Sequence, residues 1–534
     1  MTPGLLNLFF RIKPPDSGRG PAKPEKFVFS SCAERRTPNA ERHSKPLLLA
    51  LLAPCLILVS LLGTGTPAAL ALTLEEEQKL GEQVVREVEA KFTVIRDPLL
   101  LNYLNRIGQE ILQKTGSIPY PFRFYLLKDP QLNAFSVPGG HIFVTTGIVE
   151  VMDSEGELAG LLGHEIAHVT SRHIAKRMER EKKISLATMA AVLASIFAGD
   201  PRIATAVITS SMATGISLSL KYSREDEEEA DNYGFKYMTR DGYNPEEMAV
   251  LLGKLRKWGG AFGSEAIPSY LLTHPGIGER IEHIEGLKKY YESQGPWDKA
   301  SSPEFRRFQI LLLAKYGNPQ RARDRFRQWN SGPQAEFWVH YGLGWLNLRD
   351  NNFEGAIGEF EKALALKPYD PFVLRDLGQA FLVKGNLSLA VKNLSQAALV
   401  NPQDAIAAFY LGRAYLEQGN NSLALENFQR AVRLGTEGDE VFQYLGTAYG
   451  NLGELAQAHY NLGRYFQRRG ETGKAVFHYK TALKYADRNP ELKGTLEKEV
   501  KNLSSDKKKE EKPNPPEPET QPGPSWPLPP RPRS

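Results

Sequence analysis

The feature that most constrains the fold of this chain is a repeat of 34 residues in its second half. Three residue types recur in phase at that interval: Gly344, Gly378, Gly412 and Gly446; Ala356, Ala390, Ala424 and Ala458; Pro368 and Pro402. Small residues at a fixed spacing let two helices cross closely, and a proline ends a helix because it cannot continue the hydrogen-bond pattern. The repeat therefore predicts a stack of helix pairs.

A period of 34 residues with these positions is the signature of the tetratricopeptide repeat. We expect residues 335–490 to form an all-α superhelix of such repeats. Gly463 and Ala475 keep the same internal spacing but begin half a period after Gly446, so they predict one further helix pair. The concave surface of such a superhelix usually binds peptides or segments of partner proteins. The alternative is a helical cap that binds no partner.

The segment "GLLGHEIAHVTSRH" carries two histidines four residues apart. On a helix, His164 and His168 lie on one face and could bind a single zinc ion through neutral imidazoles. Glu165 is turned partly away from that face, which suits a base that acts on water at the metal. An ordinary helix that carries histidines is the alternative, so a third ligand has to be found.

His173 does not supply the third ligand in the long three-histidine zinc motif. That motif needs the third histidine six residues after the second, with a glycine between them. Here His173 follows His168 by five residues, and Ser171 stands at the glycine position.

The acidic segment "YSREDEEEADNYG" offers a better third ligand. Its pattern is helical, and Glu227 and Asp231 are four residues apart on one face. Glu227 could complete a His-His-Glu site that leaves one position open, and Asp231 could orient a ligating imidazole. A solvated acidic helix face is the alternative.

The combination of "HEIAH" and "SREDEEEAD" resembles the gluzincin-type zinc endopeptidases of metallopeptidase family forty-eight, whose pattern is HExxH followed by ExxxD. Three longer segments also resemble that family: "NAFSVPGGHIFVTTGI", "SEGELAGLLGHEIAHVTSRH" and "LLTHPGIGERI". The resemblance covers about residues 74–290. It implies an α+β zincin-like metallopeptidase domain in residues 72–290, ahead of the repeats.

The resemblance also implies roles for individual residues. It implies one zinc ion per chain, bound by His164, His168 and Glu227. It assigns catalysis to Glu165 and an active-site position to Asp231, which would orient a ligand or handle protons.

Further positions follow from the same resemblance. His274 is expected near the metal, where it could occupy the open position and keep the protease latent, or could form only a structural His-Pro turn. Arg280 would stabilise the oxyanion or pair with an acid. Four residues are expected along a substrate cleft, where a strand edge could hold an extended peptide: Asn133, Pro138, Gly139 and Gly140.

The remaining pattern of residues 72–290 indicates helices and strands. "LEEEQKLGEQVVREVEAKF" and "PLLLNYLNRIGQEILQK" have helical periodicity, whereas "FRFYLLKD" and "HIFVTTGIV" are rich in aromatic and β-branched residues and predict strands. "SVPGG" predicts a turn between those strands. The apolar stretch 184–220 predicts either a buried helix pair or a flap that faces lipid or substrate.

Residues 1–71 have the features of an N-terminal extension and signal peptide. Basic residues precede the apolar run "PLLLALLAPCLILVSLLG", and "ALA" follows with small residues suited to cleavage. A retained membrane anchor is the second choice. Cys32 and Cys55 both lie in this leader, so the mature chain would have neither a disulfide nor a thiolate metal site.

The charge of the chain argues against some classes of partner. Of the 67 Lys and Arg and the 62 Asp and Glu, nine and four lie in residues 1–71, which leaves 58 of each in the rest. A formally neutral mature chain gives no electrostatic reason to bind nucleic acid, and membrane association would be peripheral at most.

Two segments complete the organisation. Residues 291–334 are expected to be a helical linker, and the charged, proline-rich tail 503–534 is expected to be disordered, as a tether or as a partner-binding arm. Together with the export signal and the repeats, the resemblance implies a periplasmic zinc endopeptidase whose repeats recruit unfolded or stalled envelope proteins or the outer-membrane assembly machinery. The alternative is a periplasmic chaperone or assembly scaffold that acts through the repeats and carries a latent protease site.

Overall fold

The computed structural model of the chain describes residues 72–116, 118, 120–180, 222–261, 268–329, 335–436 and 438–510. The predicted signal peptide, the apolar stretch 184–220 and residues 511–534 of the predicted tail lie outside this part. Among the helices of the described part, none is long and apolar enough to cross a membrane.

Helices and a small sheet make up the first portion of the described chain. They are α1 (Leu74–Lys91), β1 (Val94–Ile95), α2 (Pro98–Leu112), β2 (Arg123–Leu127), β3 (Ala134–Val137), β4 (His141–Thr145), α3 (Thr146–Val151), α4 (Glu155–Thr170), α5 (His173–Arg180), α6 (Arg224–Arg240), α7 (Glu246–Ala261), α8 (Ser269–Thr273) and α9 (Ile277–Tyr290). A short 3₁₀ turn, Glu292–Gln294, follows. The helices predicted before and after the first strands are present, as are both predicted strands.

The sheet has the strand order β1-β2-β4-β3, so β3 lies at an edge of the four described strands. Strand β4 runs parallel to β2 and antiparallel to β3. The predicted turn is shorter than expected, because Ser136 and Val137 belong to β3. Only Pro138, Gly139 and Gly140 turn the chain, and both glycines have positive φ, at 82° and 86°.

Strand β4 is also shorter than the predicted strand "HIFVTTGIV". It ends at Thr145, whose hydroxyl accepts a hydrogen bond from the backbone N–H of Ile148 and so begins helix α3. A threonine at this position caps a helix as readily as it continues a strand, which is why the strand pattern extended too far.

Helices α4 and α6 approach each other at a pair of glycines. A Cβ atom on Gly163 would lie 3.2 Å from the carbonyl oxygen of Gly234, and a Cβ on Gly234 would lie 3.0 Å from the backbone nitrogen of His164. The missing side chains therefore let the two backbones touch. Residues 155–169 of α4 are all buried, so this helix lies in the centre of the domain.

The second portion of the chain is entirely helical in the described residues. Its helices are α10 (Pro303–Tyr316), α11 (Pro319–Gln328), α12 (Ala335–Arg349), α13 (Phe353–Leu366), α14 (Pro371–Val383), α15 (Leu387–Val400), α16 (Ala405–Glu417), α17 (Asn421–Arg433), α18 (Glu440–Asn451), α19 (Leu455–Arg468), α20 (Thr472–Leu483) and α21 (Pro490–Glu510). This α+β part followed by all-α repeats confirms the predicted fold class.

The repeated glycines mark the helix crossings, as predicted. A Cβ on Gly344 would lie 2.5 Å from the ring of Phe360, and Gly412 faces Phe428 in the same way. Gly446 on α18 faces Leu462 on α19, whereas Gly463, also on α19, faces Tyr479 on α20. Helix α19 therefore belongs to two helix pairs, which explains the half-period shift in the sequence.

Helices α10 and α11, in the segment expected to be a helical linker, pack against the first portion of the chain. Phe308 of α10 stacks on Tyr103 of α2, with ring centroids 4.6 Å apart. Gln309 donates hydrogen bonds to the carbonyl oxygens of Val149 and Met152 at 2.8 and 2.7 Å. One hydrophobic core continues from Ile95 in β1 to residues of the repeats.

Helix α21 runs to Glu510 and so extends past the start of the tail 503–534 that we expected to be disordered. The residues between Ser504 and Glu510 are rich in lysine and glutamate, which favour helix, and the first proline of the tail is Pro513. The helix therefore ends close to that proline, and not at the start of the charged tail where we expected order to end.

Candidate metal centre

The candidate ligands come from three helices of the first portion. His164, Glu165 and His168 lie on α4, whereas Glu227 lies on α6. His274 directly follows the short helix α8 and caps its C-terminal end, where its backbone N–H donates to the carbonyl of Tyr270 at 2.9 Å. All five side chains are at most 1% exposed.

Four of these residues converge on one point. Ligand atoms of His164, His168, Glu227 and His274 all lie within 4.8 Å of one another. His164 Nε2 is 3.0 Å from His168 Nε2 and 3.6 Å from Glu227 Oε2. His274 Nδ1 lies 2.9 Å from Glu227 Oε1. The structure thus brings together the three ligands predicted from the sequence and the histidine predicted to lie near them.

A second layer of polar groups surrounds His164. Its Nδ1 lies 2.9 Å from Asp231 Oδ1. Arg280 donates to both oxygens of Asp231, from Nε at 2.8 Å and from Nη2 at 2.7 Å, and its Nη1 lies 2.7 Å from Glu227 Oε2. The guanidinium therefore joins Glu227 and Asp231, two of the acidic residues of α6.

The environment fixes the charge of several of these groups. Burial alone raises the pKa of Glu227, but neighbouring His274 and Arg280 outweigh it and hold the pKa well below its ordinary value. Asp231 behaves in the same way: burial raises its pKa, whereas Arg280 and a hydrogen bond with His164 bring it below the ordinary value. Burial lowers the pKa of His168 well below 6.5, so its imidazole is neutral, as metal binding requires.

Glu165 differs from the other acids of the site. Both of its carboxylate oxygens are buried, and neither accepts a hydrogen bond from the described residues. In the described part of the chain, His274 Nε2 lies 3.7 Å from its Oε1. Buried carboxylates without partners are costly, so such a group indicates a site that binds water, an ion or a substrate.

The donor set fits a divalent metal ion. When its imidazoles are neutral, as they are in metal ligation, the cluster contains three carboxylates (Glu165, Glu227 and Asp231) and one guanidinium, that of Arg280. Two negative charges are then uncompensated among the described groups of the cluster, and a divalent cation would balance them. Nitrogen and oxygen ligands in this number are those that transition metals such as zinc use in proteins.

Aromatic rings pack against the histidines of this cluster, a feature that sequence reasoning missed. Tyr222 stacks on His168 with ring centroids 3.8 Å apart. Tyr270 stacks on His274 at 4.2 Å, and Tyr222 lies 4.9 Å from the same ring. Tyr222 lies 54 residues after His168, whereas Tyr270 lies four residues before His274, so no single spacing rule links both tyrosines to the metal motif.

The residues expected along a cleft flank β3, with Asn133 before the strand and Pro138, Gly139 and Gly140 in the turn after it. Asn133 precedes β3 and is buried, and its carbonyl accepts a hydrogen bond from the Thr145 hydroxyl at 2.7 Å. The carbonyl oxygen of Pro138 lies against α1, where a Cβ on Gly81 would overlap it. Residues 134–137 are buried as well.

Comparison with known proteins identifies the two parts of the chain. Residues 98–288 match the profile of Peptidase family M48, and residues 309–371 and 375–439 match that of the tetratricopeptide repeat. The chain is 29% identical over 325 residues to the beta-barrel assembly-enhancing protease of Escherichia coli (strain K12). The aligned residues cover 59% of this chain and 66% of that protein.

Two other relatives are similar to part of this chain. The beta-barrel assembly-enhancing protease of Yersinia pestis is 31% identical over 255 residues, or 47% of this chain and 51% of that protein. The mitochondrial metalloendopeptidase OMA1 of Schizosaccharomyces pombe is 26% identical over 220 residues, or 40% of this chain and 61% of that protein. This chain thus spans less than two thirds of the length of each of these relatives. It contains a Peptidase family M48 domain followed by tetratricopeptide repeats, as its motifs predicted.

Proposed function

We propose that this chain is an exported, zinc-dependent endopeptidase that acts in envelope protein quality control and outer-membrane protein assembly. One observation carries the proposal. Imidazoles of His164, His168 and His274 converge with the carboxylate of Glu227. Beside them lies the carboxylate of Glu165, which accepts no hydrogen bond from the described residues. The match to a peptidase family and the names of the relatives support the same activity.

His164, His168 and Glu227 would hold one zinc ion per chain. Residues 72–534 contain no cysteine, so nitrogen and oxygen ligands are the ones available there. When bound, zinc would polarise the scissile carbonyl and lower the pKa of water at the site.

Glu165 is the general base of the proposed mechanism. Its carboxylate would take a proton from the attacking water and deliver it to the leaving amine. Asp231 would accept a hydrogen bond from His164 Nδ1 and so keep the other ring nitrogen free for the metal. Arg280 is engaged with Asp231 and Glu227, which favours an ion-pairing role over direct stabilisation of the oxyanion.

His274 is proposed as the group that keeps the protease latent. Its ring lies among the candidate ligands, and the side chains of this cluster are almost completely buried. Substrate would therefore reach Glu165 only after His274 and its surroundings move. Substitution of His274 by alanine should raise the rate of cleavage of an unfolded protein, and an unchanged or lower rate would assign His274 to structure.

The proposed cleft runs along β3. An extended peptide could pair with this edge strand and with the neighbouring Asn133, Pro138, Gly139 and Gly140. Because residues 134–137 are buried, this edge would first have to be uncovered. In the proposal, the movement that opens the metal site also uncovers the edge of β3 for the substrate.

The decisive experiment replaces Glu165 by glutamine in the full chain. The variant should retain zinc, measured by mass spectrometry of the native protein, but should not cleave an unfolded protein. Glu228→Gln is the matched control, because Glu228 is exposed and lies next to Glu227 on α6. Cleavage by Glu165→Gln at the wild-type rate would overturn the mechanism.

The repeats are proposed to recruit unfolded or stalled envelope proteins, or the outer-membrane assembly machinery. A second candidate function is a periplasmic scaffold that acts through the repeats while the protease site stays latent. The near-complete burial of the candidate site favours this alternative. In a strain that lacks the protein, full restoration of envelope integrity by Glu165→Gln would support the scaffold, and failure would support the protease.

Export is proposed from residues 1–71 of the sequence, which carry the features of a signal peptide. Mass spectrometry of protein isolated from its source would report the mature N-terminus and the bound metal together. A mature chain that begins near Leu72 is expected, and an intact leader would favour the retained anchor.

A further inference from the structure

His173 is a buried histidine that the proposed mechanism does not use. It is the first residue of α5 and is 2% exposed. Its Nδ1 lies 2.8 Å from Nδ1 of His168. On its other side, Nε2 lies 3.2 Å from Glu229 Oε2, and the second oxygen of Glu229 accepts from the Ser171 hydroxyl at 3.1 Å. His173 therefore lies between a candidate metal ligand and a carboxylate.

The positions of the hydrogen atoms on His168 and His173 follow from what each ring nitrogen contacts. His168 presents Nε2 to the other candidate ligands, so this nitrogen must carry the lone pair and Nδ1 must carry the proton. Two protonated nitrogens cannot face each other at 2.8 Å, so His173 Nδ1 accepts that hydrogen bond. The proton of His173 is then on Nε2, which donates to the Glu229 carboxylate.

We propose that His173 is a positioning residue that fixes the tautomer and ring orientation of His168. The inference rests on the proposed zinc site, because it concerns how one of the three ligands is presented to the ion. Outer partners of ligating histidines typically contribute a factor of about 10–100 to metal affinity. His173 would supply that contribution through an acceptor nitrogen.

The two candidate imidazoles on α4 are then held in different ways. His164 Nδ1 faces the carboxylate of Asp231 at 2.9 Å, whereas His168 Nδ1 faces a neutral ring. On the His168 side, the carboxylate of this series of contacts is that of Glu229, whose side chain is 42% exposed. It does not contact His168 directly, because His173 lies between them. A second carboxylate in direct contact would raise the uncompensated negative charge of the buried cluster from two to three. His173 acts here as a neutral relay, which means that it accepts the hydrogen bond from His168 and donates one to Glu229. A neutral ring in this position avoids the cost of a further buried charge.

A packing role makes a different prediction from a hydrogen-bonding role. The rings of His168 and His173 are 5.0 Å apart and meet edge to face, so any side chain of similar size would support His168 by contact. Only a side chain with an acceptor would support its tautomer. Asparagine and leucine have almost the same shape, but asparagine has an acceptor and leucine has none.

The experiment compares His173→Asn with His173→Leu in the full chain. Zinc affinity is measured by competition with a chelator of known affinity, and the circular dichroism of the metal-free proteins checks that both variants fold. We expect His173→Leu to bind zinc about 10–100-fold more weakly than wild type and His173→Asn to stay within roughly threefold. Equal affinities in the two variants, whether weakened or unchanged, would overturn the proposal.

A second pair of variants decides the matter if His173→Leu does not fold. Glu229 is partly exposed, so its substitution leaves the core intact. Glu229→Leu removes the acceptor at the end of the relay and should weaken zinc binding, whereas Glu229→Gln keeps a carbonyl acceptor and should restore most of it. Identical affinities would contradict the relay. If wild-type protein binds no zinc at all, the zinc site itself fails, which is a separate outcome from equal affinities in a zinc-binding protein.

Discussion

Replacement of Arg280 by leucine should destabilise the peptidase domain much more than the same replacement of Arg224. Both arginines contact carboxylates at nearly the same distance, 2.7 Å from Arg280 to Glu227 and Asp231 and 2.8 Å from Arg224 to Glu279. Their surroundings differ, because the Arg280 side chain is 5% exposed and the Arg224 side chain is 71% exposed. The pair of variants therefore separates burial from geometry.

The size of the effect follows from what each variant leaves behind. Arg280→Leu removes the guanidinium that pairs with two buried carboxylates, and breaking a buried pair in this way costs about 3–5 kcal/mol. Arg224→Leu leaves Glu279 in water, where the loss is negligible. A bound zinc ion would supply positive charge beside Glu227, so the loss in Arg280→Leu should be smaller in the zinc-loaded protein.

Hydrogen exchange measured by mass spectrometry provides the assay, because it reports on α6 and α9 separately from the repeats. In metal-free Arg280→Leu, the amides of these helices should exchange about 10²–10⁴-fold faster than in wild type. Those of Arg224→Leu should exchange at wild-type rates. If both variants exchange alike, or if Arg280→Leu matches wild type, the buried carboxylates do not depend on Arg280 and the charge argument fails.

Three further predictions concern other parts of the chain. Gly344→Ala should lower the free energy of unfolding of the repeats by about 1–3 kcal/mol, because its Cβ would overlap Phe360. Gly358→Ala, on the adjacent helix, has open space around its Cβ and should raise that free energy by about 0.5–1 kcal/mol. Urea unfolding of the two variants measures the difference. Burial lowers the pKa of His141 from 6.5 to about 4, so its contribution to stability is complete above pH 6.5 and declines as the pH falls towards 4. Wild type should lose up to about 3 kcal/mol more than His141→Gln over that interval, and parallel pH profiles would contradict this. Zinc at about 100 times its dissociation constant should stabilise metal-free wild type by about 2.7 kcal/mol, and a calorimetric scan of His168→Ala should show no comparable gain.

Features that depend on local pattern were predictable from the sequence. The phase of Gly344 and its repeats gave the helix crossings, and the four-residue spacing of His164 and His168 placed both on one face of a helix. The convergence of Glu227 with them depended on the resemblance to a family, because no local rule fixes the distance between α4 and α6. The glycines at 163 and 234 show in retrospect where the two helices touch.

Features that depend on chain reversal or pairing were not predictable. On a continuous helix, a residue five positions after His168 would lie about 140° around the axis and could not face it. Helix α4 instead ends at Thr170, and Arg172 has a φ of 55°, so the chain turns and His173 returns to His168. Strand β3 was missed for a related reason, because four residues that end at a turn form a strand only when a neighbour pairs with them.

The contact between Phe308 and Tyr103, and the hydrogen bonds from Gln309 to the end of α3, have a practical consequence. A chain cut after residue 290 would uncover the ring of Tyr103 on one fragment and that of Phe308 on the other. It would also remove the hydrogen bonds that Gln309 donates to Val149 and Met152. Aggregation of either fragment would then mimic a loss of activity. Single substitutions in the intact polypeptide are the sound way to divide its properties between its halves.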